Sequence, residues 1–296
     1  MNTSTVNNPS LPTFTTTDAG VPTVVGVLGG GRMGAGIAHS FLAAGAHVTV
    51  VDINEQAIEA ARERITNDVA GSLKRGAPGT AEEWLSRLTL STDTQAFADH
   101  PLVVEAVPEI IELKADSFRK IAAAAPGAVI ATNTSSLSVS DLALSVDNAV
   151  IGLHYFNPVP ASKLVEVVVA DSTPEPLVEL ARQWVAGLDK TPIVVKDAPG
   201  FASSRLGVAI ALEAIRMVEE GVASAEDIDK AMVLGYKFPV GPLQLTDIVG
   251  LDVRLGIAEY LESTLGERFA PPQLMRDMVE RGELGRKSGR GFYDYS

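Results

Sequence analysis

The residues best suited to chemistry in this chain are a histidine and a glutamate twelve positions apart, His154 and Glu166. An imidazole titrates near neutral pH and can take the proton of a secondary alcohol while hydride leaves the same carbon. A carboxylate beside it would fix the tautomer and stabilise the imidazolium. The spacing leaves a second interpretation open, because His154 could be a satisfied buried histidine and Glu166 a carboxylate on a strand face.

Other polar residues gather where neighbouring predicted strands end. The segment GAVIATNTS carries Ser135 at its end, and NAVIGLHYFN carries His154 and Asn157. Open α/β sheets bind ligands outside the carboxyl ends of their strands. We therefore expect these side chains to face one ligand site.

A glycine-rich turn follows the first predicted strand and opens a helix. Gly29 permits a tight turn, and Gly31 lets backbone amides approach a pyrophosphate. Gly34 lets the helix pack closely on the strand. An aspartate closes the second strand, where its carboxylate can accept hydrogen bonds from ribose hydroxyls and would repel a 2′-phosphate. The pattern predicts NAD binding; the alternative is a glycine turn with a surface aspartate. The predicted cofactor contacts here are Gly29, Gly31, Arg32, Met33, Gly34 and Asp52.

These residues need a scaffold, and the hydrophobic pattern predicts one. From Val21 onward, short β-branched runs alternate with longer amphipathic segments, as is typical of strand–helix units around a buried parallel sheet. We predict a Rossmann-type, doubly wound, mainly parallel α/β domain over residues 22–199. The predicted strands are 21–29, 47–52, 101–107, 127–135, 148–154, 163–170 and 191–196, with helices that include 32–45, 57–73 and 109–125.

The two ends of the chain differ from this pattern. Residues 1–21 are rich in Thr, Ser, Asn and Pro, and we predict a disordered tail. Residues 200–296 contain only helical stretches bounded by Gly or Pro, so we predict a smaller, all-helical second domain. Its helices are predicted at 202–220, 225–234, 242–264 and 272–281.

Composition excludes several classes of protein. The chain has 296 residues, a formal net charge of −13 and no cysteine. The acidic balance disfavours nucleic-acid and anionic-membrane surfaces, and the absence of cysteine excludes disulfides and thiolate metal sites. No run approaches the roughly 20 apolar residues of a membrane span. We expect a cytoplasmic protein that acts on a small molecule, without a metal, nucleic-acid or membrane partner.

The chain resembles the 3-hydroxyacyl-CoA dehydrogenase family, in the stand-alone, NAD-dependent form that includes bacterial 3-hydroxybutyryl-CoA dehydrogenases. The likeness spans about residues 23–296 and is carried by VLGGGRMGAGIA, LVVEAVPEIIELK, NTSSLSVSDLA, GLHYFNPVPASKLVEVV, KDAPGF and GRKSGRGFYDY. It implies oxidation of (S)-3-hydroxyacyl-CoA to 3-oxoacyl-CoA, with hydride passing to NAD. The apolar stretches 206–218 and 243–261 exceed what a small bundle can cover and predict a homodimer through the helical domain.

The resemblance also implies individual roles. His154 would be the general base and Glu166 its paired carboxylate, while Ser135 and Asn157 would bind substrate oxygen, nicotinamide or both. The additional cofactor contacts that it implies are Glu109, Lys114 and Lys287. The contacts that it implies for coenzyme A are Lys74 and Arg75.

One position departs from the family pattern GF-x-x-N-R. Here Ser204 stands where the pattern has asparagine. If that asparagine binds the substrate carbonyl, Ser204 would do so with a shorter side chain or through water. We predict a shift in substrate preference with activity retained; a serine cap at the start of a helix is the alternative.

Two other functions remain open. A dehydrogenase resembling L-gulonate 3-dehydrogenase and lambda-crystallin would keep His154, Glu166 and the NAD site but act on a free hydroxy acid. A NAD-binding protein without activity is the other. The second alternative is disfavoured because a protein that only binds NAD has no chemical need for Ser135, His154, Asn157 and Glu166 together.

Overall fold

The computed structural model describes residues 11–296 and divides into two compact units after Asp197. This division lies beside the boundary predicted near Pro199 and Gly200. The first unit is α/β and the second is helical, which confirms the predicted fold class.

The first unit is built on one eight-stranded sheet with the order β3-β2-β1-β4-β5-β6-β7-β8. Its pairs are parallel except for β6 with β7, which are antiparallel. The sheet is therefore doubly wound and mainly parallel, as predicted. The strands are β1 Val24–Leu28, β2 His47–Val51, β3 Leu88–Ser91, β4 Leu102–Glu105, β5 Val129–Thr132, β6 Val150–Tyr155, β7 Leu164–Val169 and β8 Thr191–Lys196.

The central strands are buried and largely apolar because both faces of the sheet are covered. Every residue of β4, β5 and β6 is buried, which is typical of a parallel sheet between helical layers. The edge strand β3 and the short α3 were not predicted, because the LTLS segment of β3 is brief and only partly apolar. The helices of this unit are α1 Arg32–Ala43, α2 Glu55–Lys74, α3 Ala81–Leu85, α4 Ile111–Ala124, α5 Val139–Ala143 and α6 Glu175–Gly187.

The prediction of a disordered tail is wrong for residues 11–21; residues 1–10 lie outside the described part of the chain. Backbone hydrogen bonds join Thr23 N to Thr15 O and Thr17 N to Val21 O, at 2.9 and 2.8 Å. The Phe14 ring packs edge-on against Trp184, with centroids 4.9 Å apart. The few apolar residues of this polar stretch thus anchor it to the core of the first unit.

The second unit consists of helices, short helical turns and isolated β-bridges within the described residues. The predicted helix over 242–264 is wrong in one respect, because Gly250, at φ +105°, separates two helices. Only glycine adopts such a conformation readily. The main helices are α7 Ser203–Glu219, α8 Ala225–Lys230, α9 Pro242–Val249, α10 Leu251–Leu265 and α11 Gln273–Glu280, and a π-helical turn, Ala231–Gly235, follows α8.

None of the helices in residues 11–296 combines the length and apolar character that a membrane crossing requires. Over the same residues, no group of three or more His, Asp or Glu side chains is arranged to hold a metal ion.

Candidate active site

His154 and Glu166 lie directly opposite each other on the antiparallel strands β6 and β7. Their side chains meet, with Nδ1 of His154 2.7 Å from Oε2 of Glu166. Both residues are buried, at 6% and 0% exposure. The connection between the strands reverses the chain, and residues directly opposite on an antiparallel pair project from the same face. The predicted partnership is present in the structure.

This pairing fixes what the imidazole can do. The Glu166 carboxylate accepts a hydrogen bond from Nδ1–H, which selects the tautomer whose other nitrogen, Nε2, can take up a proton. A buried carboxylate is costly unless it is paired, so the dyad also stabilises Glu166. The arrangement suits a general base that becomes positively charged during a reaction.

Neighbouring contacts hold the end of β6 in place. Oδ1 of Asn133, just after β5, accepts a hydrogen bond of 2.9 Å from the backbone N–H of Tyr155. The Phe156 ring lies 4.4 Å from the His154 ring, centroid to centroid. Asn157 follows and is exposed, and its side chain makes no hydrogen bond with the described part of the chain. Its amide can therefore turn toward a ligand.

Glu109 holds the loop that carries Ser135. Its Oε1 accepts hydrogen bonds from the Ser135 N–H at 2.7 Å, the Ser135 hydroxyl at 3.0 Å and the Thr134 hydroxyl at 2.7 Å. Burial opposes ionisation of Glu109, but the Lys114 ammonium and these hydrogen bonds outweigh it, and the pKa of the carboxyl lies below its usual value. Glu109 thus acts in this structure as an anchor for the Ser135 loop.

Lys114 is enclosed by protein atoms in this structure, and its contact with the cofactor stays a prediction. The residue is 1% exposed, and its Nζ lies 2.8 Å from Oε1 of Glu105 and 3.5 Å from Oε2 of Glu109. The ammonium also donates to the Val107 carbonyl at 3.1 Å. The physical reason is that a buried cation is retained where carboxylates surround it.

Sequence reasoning missed Glu105, at the end of β4. This residue is fully buried, and its carboxylate accepts hydrogen bonds from Lys114 Nζ, from the Thr132 hydroxyl at 2.7 Å and from the Val107 N–H at 2.7 Å. Burial raises the pKa of Glu105, against the opposing effect of Lys114 and these donors. Glu105 joins β4, β5 and α4 beneath the Ser135 loop.

The glycine-rich turn has the geometry of a dinucleotide site. Gly29 has φ +95°, and a Cβ on Gly34 would lie 1.7 Å from the Gly29 carbonyl oxygen, so the turn tolerates a side chain at neither position. A Cβ on Gly31 would meet nothing within 4 Å. Nothing in the described protein requires glycine at 31, but close approach of a pyrophosphate to the start of α1 does. These residues fit NAD.

Asp52 lies beside this turn at the end of β2. Its Oδ2 accepts a hydrogen bond of 2.6 Å from the Gly30 N–H, and its Oδ1 accepts one of 2.7 Å from the Ile53 N–H. Sequence reasoning missed Gly30, where a Cβ would lie 2.5 Å from that of Ala61. A cavity opens here, and Arg64, which donates to the Gly30 carbonyl at 3.3 Å, stands in its wall. The cavity is lined by Gly31, Asp52, Asn54, Gln56, Ala57, Ala60 and Arg64.

The remaining predicted contacts of the first unit occupy helix ends. Arg32 is exposed at the first position of α1, whereas Met33 is partly buried and packs against the hydrophobic core. Lys74 is the last residue of α2 and Arg75 its C-cap, both exposed. Arg75 donates to the Ser72 hydroxyl at 3.1 Å.

Two predicted contacts belong to the second unit. Lys287 forms an ion pair of 2.6 Å with Asp252, and Ser204 lies in the first turn of α7. The roles of Lys287 toward the cofactor and of Ser204 toward the substrate remain predictions.

Comparisons with known proteins place both units in one family. Residues 24–198 match the 3-hydroxyacyl-CoA dehydrogenase NAD binding domain, and residues 200–295 match the C-terminal domain of the same family. A probable 3-hydroxybutyryl-CoA dehydrogenase of Deinococcus radiodurans is 40% identical over 275 residues, covering 91% of this chain and 99% of that protein.

Solved structures agree with this assignment. The crystal structure of FadB2 from M. tuberculosis has a TM-score of 0.88 and 40% identity, covering 93% of this chain and 100% of that one. The (S)-3-hydroxybutyryl-CoA dehydrogenase PaaH1 from Ralstonia eutropha also has a TM-score of 0.88, with 36% identity over 93% and 99% of the two chains. With matches over both of its units, this chain belongs to the 3-hydroxyacyl-CoA dehydrogenase family.

Proposed function

We propose that this chain catalyses the reversible oxidation of (S)-3-hydroxyacyl-CoA to 3-oxoacyl-CoA with NAD. The observation that carries the proposal is the buried His154–Glu166 pair, which lies in the same α/β unit as the glycine turn and Asp52. The relatives named as 3-hydroxybutyryl-CoA dehydrogenases support the substrate class.

The catalytic roles follow from the geometry of the dyad. Glu166 holds Nδ1 of His154, so Nε2 takes the hydroxyl proton on C3 of the substrate as the C3–H bond breaks. NAD, when bound, accepts the hydride that leaves C3. The Glu166 carboxylate stabilises the imidazolium, which then gives its proton to solvent. Ser135, held by Glu109, and the exposed Asn157 orient the substrate oxygen or the nicotinamide.

The coenzyme A contacts are the next part of the proposal. Lys74 and Arg75 are exposed at the end of α2, and neither forms an ion pair within residues 11–296. Such a basic pair can bind a phosphate group. Ser204 is proposed to contact the acyl portion from the second unit.

A single assay tests the activity. We expect acetoacetyl-CoA to drive rapid loss of NADH absorbance, with NADPH used far less because Asp52 repels a 2′-phosphate. No turnover, with NADH still bound, would contradict the acyl-CoA assignment and favour a free hydroxy acid such as L-gulonate. Absence of turnover on both substrate types would leave a NAD-binding protein without activity. Equal use of NADPH would contradict the role of Asp52 and point to Arg64.

We also propose a homodimer formed through the second unit. Apolar side chains on three of its helices are exposed, which is unusual for a surface that stays uncovered. A second copy of the chain would bury them. The exposed residues are Leu206 and Ile210 on α7, Leu245, Ile248 and Val249 on α9, and Val253 on α10.

Light scattering tests the oligomeric state. We expect a particle of twice the chain mass of 31.1 kDa, and we expect Ile248→Asp to shift it toward the monomer because a charge would be buried at the interface. Leu144→Asp, at an 85% exposed position of the first unit, is the matched control and should leave the dimer intact. A wild-type monomer would refute the dimer.

A further inference from the structure

Arg64, in the third turn of α2, stands in the wall of the cavity beside the glycine turn. Its Nη1 donates a hydrogen bond of 3.3 Å to the Gly30 carbonyl, and the guanidinium forms no ion pair within residues 11–296. A guanidinium carries five N–H donors in one plane, and this bond uses one of them. Its flat face and its other donors are therefore available to a ligand.

Asp52 lines the same cavity with the opposite charge. The two side chains form no ion pair with each other, although Gly30 holds both: its N–H donates to Asp52 at 2.6 Å and its carbonyl accepts from Arg64. Because the backbone of the turn fixes each group separately, both remain available to a ligand in the cavity. The carboxylate accepts ribose hydroxyls, as is typical of an acidic residue at this position of a dinucleotide site, which leaves another part of NAD for the cation.

The face of α2 that contains Arg64 otherwise carries small side chains. Ala57 and Ala60 line the cavity seven and four residues before Arg64, and residues with this spacing lie on one face of a helix. The Asn54 side chain, at the start of the helix, is engaged in capping, because its Oδ1 accepts the Ala57 N–H at 2.9 Å. Two methyl groups and a planar cation provide little hydrogen bonding but a broad contact for a flat ring.

We propose that the Arg64 guanidinium stacks on the adenine ring of NAD, and that this contact is a main source of affinity for the adenosine half of the cofactor. This inference rests on the NAD site of the proposed function. The guanidinium is planar and weakly hydrated, and nucleic-acid bases stack on such planes. The 2′-phosphate of NADP is a poorer occupant, because Asp52 in the same cavity would repel it.

Calorimetry of the full chain with ADP-ribose tests this contact, because ADP-ribose keeps the adenosine half and the pyrophosphate but lacks nicotinamide. Arg64→Met should weaken ADP-ribose binding about 5- to 30-fold, the range expected when a cation stacked on a ring is removed. Arg62→Met is the matched control and should leave the affinity unchanged, since Arg62 is exposed on the same helix and pairs with Glu59 at 3.2 Å. Arg64 is itself exposed on α2, so these variants should fold.

Two further variants separate the planar face of Arg64 from its charge. Arg64→Tyr keeps a flat face without the charge, whereas Arg64→Lys keeps the charge without the plane. We expect the tyrosine variant to bind ADP-ribose more tightly than the lysine variant, because bases stack on aromatic side chains. The reverse order would overturn the proposal and assign Arg64 to a phosphate of the cofactor.

Two other results would also overturn the proposal. An unchanged affinity for ADP-ribose in Arg64→Met would make Arg64 a surface residue of α2 without a role in the site. Binding of 2′-phospho-ADP-ribose as tightly as ADP-ribose, with loss of that binding alone in Arg64→Met, would assign the guanidinium to a 2′-phosphate and contradict the role of Asp52.

Binding separates this proposal from the proposed function, because it needs no acyl-CoA. If the wild-type chain fails to reduce acetoacetyl-CoA but its affinity for ADP-ribose depends on Arg64, the proposed function fails and the stacking contact stands. If it reduces acetoacetyl-CoA with NADH while Arg64→Met retains full affinity for ADP-ribose, the proposed function stands and the stacking contact fails.

Discussion

Replacing His154 with glutamine is expected to lower kcat by about 10²–10⁴-fold, the usual contribution of a positioned general base. Glutamine keeps an amide N–H that can donate to Glu166, which preserves packing around the buried carboxylate. It cannot take up a proton at neutral pH, so the hydroxyl of the substrate loses its acceptor as hydride leaves. The measurement is steady-state oxidation of (S)-3-hydroxybutyryl-CoA by NAD at saturating substrate, followed by NADH absorbance.

NADH binding, measured by fluorescence titration, should remain close to wild type in this variant. His47→Gln is the matched control, because His47 is an exposed histidine at the first position of β2, and it should leave kcat unchanged. A His154→Gln enzyme with wild-type kcat would refute the general base. Joint loss of NADH binding and folded structure would show that His154 acts through packing.

The sequence pointed to His154 and Glu166 as the two residues of this dyad. Their spacing alone did not establish that the two side chains are in contact. Only eight residues join the predicted strands 148–154 and 163–170, which is too short for a crossover to a parallel strand and favours a reversal, but this length does not set the register of the pair. The structure has a reversal, and β7 pairs antiparallel with β6, so His154 and Glu166 fall opposite each other. Hydrophobic periodicity is the same for both directions of a buried strand, and the family resemblance supplied what the pattern could not.

The glycine turn was the most predictable part of the site, because its constraints are local. Gly29 and Gly34 are required by backbone conformation and by a close approach within a few residues. Gly30 was missed because its constraint comes from Ala61, far along the chain. Long-range contacts of this kind leave no mark in the spacing of the motif.

The burial and pairing of Lys114 and Glu105, in contrast, could not be predicted from local sequence. Charged residues are seldom buried unless they are paired, so the sequence favours a surface position for Lys114. A signal was present, since Glu105 ends a strand in which every other residue is apolar. The pairing with Lys114 nevertheless depends on how α4 returns to the sheet, which sequence spacing does not specify.

The second large effect that we expect is a loss of stability of the first unit when Glu105, the buried partner of Lys114, is replaced. Glu105→Leu should lower the free energy of unfolding of the first unit by about 3–5 kcal/mol, because it removes the carboxylate closest to the buried Lys114 ammonium. Lys114→Met should be at least as destabilising, since it leaves Glu105 without its charged donor. Urea unfolding followed by tryptophan fluorescence reports on this unit, because the only two tryptophans, Trp84 and Trp184, both lie in it.

The double variant separates the pair from its neighbours. In Glu105→Leu with Lys114→Met neither charge is left alone, so we expect it to be more stable than the sum of the two losses implies. Glu109 lies 3.5 Å from the same ammonium and would compensate part of the charge in Glu105→Leu, which makes this variant the milder of the two. Asp116→Ala, which breaks an exposed ion pair of 2.7 Å with Lys120 in the same helix, should cost about 0–1 kcal/mol. Additive losses at positions 105 and 114 would show that the two residues act independently.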